Sequence, residues 1–124
     1  MIIKKDQDTI RSYLEDTSNI EGGNAECLAM PENIGELSAF MKEAAAKKMP
    51  VTVSGGGTGT TGSRIPFGGA ILSMERMSKI YGISRAGMSA SAETGVLVET
   101  LKDAAEKEGL FYTCHPTEKT ASLG

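Results

Sequence analysis

Apolar and polar positions alternate along the chain with two periods, and the changes between them mark its elements. In "DQDTIRSYLED", Ile10, Tyr13 and Leu14 recur at helical spacing between acidic ends, which predicts a short amphipathic helix. "SNIEGGNA" breaks that pattern, and "ECLAMP" (residues 26–31) is a short apolar stretch closed by Pro31, as suits a strand ending at a turn. Asn33 followed by Glu36 is an N-cap with a reciprocal partner, and Ile34, Leu37, Phe40, Met41 and Ala44 form one predicted stripe. This helix is expected to end near Met49, since Pro50 cannot continue its hydrogen bonds.

"VTV" predicts a β-branched strand, and "GGAILSME" predicts another, buried one. "RMSKIYGIS" reads as a turn region. "MSASAET" alternates Met88, Ala90 and Ala92 with polar residues, as in a half-buried strand. A second helix is expected from about Val96 to Glu108, with Leu97, Leu101, Ala104 and Ala105 inward and Gly109 as its C-terminal cap. "LFYTCHP" is a last apolar run, stopped by Pro116. The predicted order, α-β-α-β-loop-β-β-α-β, defines an α/β or α+β domain.

Between "VTV" and the next strand lies "SGGGTGTTGSRIPFGG", with five glycines and three threonines in residues 55–62. Glycine permits positive φ and close approach of a ligand to the backbone, so the loop suits a nest of amides around phosphate oxygens, with threonine hydroxyls as further donors. A plain flexible turn is the alternative. Gly57 and Gly62 have P-loop spacing, but Ser63-Arg64 stands where Lys-Ser/Thr is needed, which argues against an ATPase. Gly57, Gly59 and Gly62 also satisfy GxGxxG, with Glu75 as a possible ribose acid. That motif requires a helix starting at the loop, and "SRIPFGG" leaves no room for one.

Composition narrows the field further. The 124 residues suit one domain, and a net charge of −3 offers no basic field for nucleic acid. No apolar run approaches the roughly 20 residues that span a bilayer, so a cytoplasmic protein is expected. Cys27 and Cys114 lack metal-ligand spacing and are read as free thiols, and no metal site is expected.

The stretch "VTVSGGGTGTTGSRIPFGGAILSMERMSKI" closely resembles the diphosphate loop of the PCMH-type FAD-binding domain shared by the vanillyl-alcohol oxidase and p-cresol methylhydroxylase family. Within it the chain looks most like the branch that contains glycolate oxidase and D-lactate dehydrogenase. "AMPENIGELSAFMKEAAAKKMPV" and "SASAETGVLVETLKDAAEKEGLFYTCHPTEKTASLG" are similar to the family's preceding helix and to its following strand, helix and second cofactor loop.

The resemblance implies an N-terminal helix and linker (1–24) and a partial FAD-binding domain (25–124) with a small sheet flanked by helices. It implies non-covalent FAD held by Gly55, Gly56, Gly57, Thr58, Gly59 and Thr60, with Gly62 and Ser63 at the loop's end. Pro116, Thr117, Ser122 and Gly124 are the implied second-loop contacts. A valine at Gly56 is expected to block the flavin while sparing the fold.

Three departures from the family pattern stand out. Ser54 replaces a common arginine, and His115 replaces the usual aspartate. Thr58 lies about where covalent members carry a histidine. His115 is read as a loop or packing residue and Glu93 as a strand-end residue, so neither is assigned catalysis. The chain stops at Gly124, inside the second loop, and catalytic groups are expected beyond it. The implied activity is oxidation of a small 2-hydroxy acid such as glycolate or D-lactate. The alternative is a non-catalytic fragment or split subunit that requires a partner chain or forms a homodimer.

Overall fold

The computed structural model describes residues 1–114 and 116–124, so the reading of His115 lies outside the described residues. The elements in chain order are β1 (Ile2–Lys4), α1 (Gln7–Arg11), β2 (Cys27–Met30), α2 (Ile34–Ala46), β3 (Val51–Ser54), β4 (Ala70–Ser73), β5 (Ile80–Ser84), β6 (Ser89–Ala92) and α3 (Val98–Lys107).

Local chemistry starts the first two helices. Asp6 accepts from the Thr9 amide at 2.8 Å to begin α1, and Asn33 accepts from the Glu36 amide at 2.9 Å to begin α2. The Glu36 carboxylate reaches back to the Glu32 amide at 2.9 Å, one residue beyond the expected reciprocal bond. Helix α2 ends at Ala46, earlier than expected, because Lys48 already adopts a left-handed φ of 52° ahead of Pro50.

Strands β1, β2, β4 and β3 form one sheet in that order. β1 is antiparallel to β2, whereas β2 and β3 both run parallel to β4. Alternation along β2 and β4 splits the core in two. Cys27, Ala29, Ala70 and Leu72 pack with Phe40 of α2, while Leu28 and Ile71 pack with Ile10 of α1. Both faces are covered, which is why "AILS" is buried throughout. The result is the expected α+β arrangement of a small sheet flanked by helices. The parallel β3 and β4 end side by side, and the glycine loop leaves from that edge, where open α/β sheets hold ligands.

β5 and β6 form a separate antiparallel hairpin, with α3 packed on β5. Several expectations need correction here. Residues 80–84, read as a turn region, form β5. Met88 is 82% exposed at the hairpin turn, and β6 is exposed apart from Ala92, because one face of this two-stranded unit has no covering layer. Leu97 is largely exposed just before α3, and Leu101 and Ala105 carry the helix's burial. Ile34 and Met41 lie at the margin of the α2 stripe and are exposed, leaving Phe40 and Ala44 as its buried residues. Residues 110–114 form no strand, and Phe111 is 73% exposed.

Candidate functional site

The glycine loop begins where β3 ends and turns through two left-handed positions, Gly57 (φ 73°) and Gly62 (φ 80°), that a side chain would strain. Among the described residues, the amides of Gly57, Thr58, Gly59 and Thr60 have no hydrogen-bond partner. They border an open cavity of about 460 Å³ that Gly56, Arg64, Asp16, Thr17, Glu118 and Thr120 complete. A Cβ built on Gly59 meets nothing within 4 Å. Here the absence of side chains leaves room and unspent donors.

The second loop is laid against the start of α3. Val98 donates to Ala121 O, Leu123 to Val96 O and Gly124 to Thr94 O, each at 2.9 Å. This places Ser122 against the first loop, where its Oγ accepts from the Gly56 amide and donates to Gly124 O, both at 2.7 Å. A Cβ on Gly55 would come within 1.9 Å of Gly124 O, and one on Gly56 within 2.6 Å of Thr120 O. Glycine is thus required at 55 and 56 for the two loops to touch. The expectation that valine at Gly56 spares the fold is corrected: its amide is already spent, and a side chain would part the loops.

The remaining sequence-predicted residues lie elsewhere. The Gly62 amide donates to Asp16 Oδ2 at 2.8 Å, and its α-carbon faces Ile20. Ser63 is exposed. Pro116 and Thr117 border a separate cavity of about 270 Å³ with Glu99 and Lys102 of α3; Glu118 borders both cavities, and Thr120 the glycine cavity.

Charge at the cavity comes from residues that sequence reasoning missed. Arg64 Nη2 donates to Ser12 O at 3.2 Å and to Glu15 O at 2.6 Å, and Nη1 lies 3.2 Å from the position of a Cβ on Gly57. In the sequence Arg64 registers only as the residue that spoils the P-loop. Its signal was a lone cation closing a glycine loop. Hydrogen bonds from Ser18, assisted by the Gly62 amide and by Arg64, hold the Asp16 carboxyl below its usual range. Ser54 is buried at the end of β3, and among the described residues its Oγ has no partner.

Glu93 is engaged by the hairpin. It accepts from the Lys79 amide and the Tyr81 hydroxyl, each at 2.8 Å, closing the base of the β5–β6 hairpin. Cys27 is buried and Cys114 exposed, both as free thiols. Among the described residues no group of three or more His, Cys, Asp or Glu could hold a metal, and no helix is long and apolar enough to cross a membrane.

A dinucleotide diphosphate needs amides without competing acceptors, backbone without Cβ atoms and a nearby cation. Gly57 to Thr60 with Arg64 meet these needs, so the cavity fits such a group. The family described as "FAD binding domain" matches residues 25–124. D-lactate dehydrogenase of Anaerostipes hadrus is 36% identical over 100 residues, 80% of this chain and 21% of that protein. D-lactate dehydrogenase of Archaeoglobus fulgidus is 38% identical over 95 residues, 76% of this chain and 21% of that protein. The glycolate oxidase subunit GlcD of Bacillus subtilis is 29% identical over 96 residues, 76% of this chain and 20% of that protein.

Among solved structures, alkyldihydroxyacetonephosphate synthase superposes with a TM-score of 0.84 at 19% identity, covering 98% of this chain and 25% of that one. p-Cresol methylhydroxylase superposes with a TM-score of 0.78 at 17% identity, covering 96% and 24%. The chain belongs to the FAD-binding domain family of flavin-dependent oxidoreductases, and FAD is its cofactor. It spans about a fifth of the length of the curated relatives it matches.

Proposed function

We propose that this chain forms the diphosphate-holding part of the FAD site in an oxidoreductase acting on small 2-hydroxy acids of the D-lactate or glycolate type. The observation that carries the reading is the run of residues Gly57 to Thr60, whose amides are unpartnered among the described residues and which border a cavity that the second loop helps to line through Glu118 and Thr120. In this reading those amides and the threonine hydroxyls hold the diphosphate non-covalently. Gly55, Gly56, Ser122 and Gly124 keep the two loops together. Gly62 and Ser63 end the first loop, and Pro116 and Thr117 lead into the second. Residues 25–124 act as the main cofactor-binding unit, and residues 1–24 add β1, α1 and, through Asp16 and Thr17, part of the cavity's border.

When bound, FAD would supply hydride acceptance from the hydroxyl-bearing carbon. This chain contributes binding and orientation, and no catalytic residue is assigned to it. The substrate class is supported by the D-lactate dehydrogenases and GlcD to which the chain is similar.

Titrating the purified chain with FAD tests the cofactor reading. Quenched flavin fluorescence and retained absorbance near roughly 370 and 450 nm are expected, and a chain that leaves FAD free in solution would overturn it. The role as a cofactor-binding unit is tested further by replacing the corresponding fifth of a D-lactate dehydrogenase with this whole chain. Retained flavin absorbance and its anaerobic bleaching by D-lactate are expected, whereas a folded chimaera that holds no flavin overturns the reading. A second reading, in which a homodimer or partner chain completes the site, is favoured by exposed Val53 on the edge strand β3 and by exposed Phe111. Sedimentation of the chain alone checks it, a dimer being expected on that reading.

A further inference from the structure

Resting on the FAD reading, we infer that Arg64 is the cation that offsets the cofactor's diphosphate in the glycine cavity. The cavity is bordered by two carboxylates, Asp16 and Glu118, and among the described residues Arg64 is the positive one lining it. A dianionic bridge placed there meets repulsion unless Arg64 opposes it. The carboxylates are turned to local duty: Asp16 accepts from the Ser18 and Gly62 amides, and Glu118 accepts from the Thr120 amide and hydroxyl.

Arg64 is differently placed. Its Nη2 is held by the Ser12 and Glu15 carbonyls. Among the described residues its buried Nε has no acceptor, and its hydrogen bonds all come from Nη2, leaving Nη1 without one. The guanidinium is therefore fixed by uncharged carbonyls beside Gly57; among the described residues it forms no salt bridge, although Asp16 feels its charge, and it keeps donors to spare. A fixed cation of this kind needs no rearrangement to meet an anion, as guanidinium groups at phosphate sites require.

The test compares wild type with Arg64→Gln and Arg64→Lys, reading FAD affinity by flavin fluorescence from about 0.05 to about 0.5 M salt and folding by thermal melting. Arg64→Gln is expected to weaken FAD at least tenfold and to flatten the salt dependence, with Arg64→Lys between the two and keeping the slope. Unchanged affinity in Arg64→Gln overturns the inference. So does weaker binding that keeps the wild-type salt slope, the result expected if Arg64 only ties residues 12–15 to the loop. Failure of wild type to bind FAD would overturn the cofactor reading and this inference together, whereas the first two results overturn the inference alone.

Discussion

A methyl group at Gly59 would enter open space, whereas one at Gly55 would collide with Gly124 O at 1.9 Å. Two glycines four residues apart therefore serve different ends, and substitution separates them. Gly59→Ala is expected to keep stability within about 0.5 kcal/mol of wild type while lowering FAD affinity at least tenfold; melting and fluorescence titration read the two effects independently. Gly55→Ala is expected to cost about 1–3 kcal/mol, because the second loop must move to admit the methyl. The glycine run alone could not distinguish these roles. It exposed the need for bare backbone, but whether that space faces a ligand or Ser122 depends on a contact 66 residues away.

At the level of elements, what was legible in the chain was what is local. The Asn33 cap bonds an amide three residues on, so it could be read directly, and Asn33→Ala is expected to cost about 1 kcal/mol, seen as a lower melting temperature. Strands β5 and β6 were harder, because their exposure depends on whether a further layer covers the hairpin, and alternation carries no record of that. Glu93 anchors this hairpin. The Lys79 amide, and then the Tyr81 hydroxyl, lower its pKa in the folded state. Its contribution to stability is thus present above the ordinary glutamate value of about 4.3 and is lost as pH falls through the depressed folded value. Glu93→Gln is expected to be less stable than wild type at neutral pH and to lose less on acidification, as acid-unfolding curves at several pH values would show.

For the molecule as a whole, the glycine loop and the second loop together disclosed the family, because both are short sequences that recur around the same cofactor group. The walls of the cavity were not legible in this way. Asp16 reaches Gly62 across 46 residues and Arg64 reaches Ser12 across 52, and neither pairing has a sequence signature. The family match begins at residue 25, yet Ile10 fills one face of the sheet and Asp16 and Thr17 border the cavity.

That stitching bears on how the protein can be recombined with its relatives. A chimaera cut at residue 25 would strip Leu28 and Ile71 of their cover and deprive both the Gly62 amide and the Arg64 guanidinium of their acceptors. Crossovers that carry the first two dozen residues along with the rest would preserve all of these contacts, so the exchangeable unit is longer than the segment that family likeness outlines.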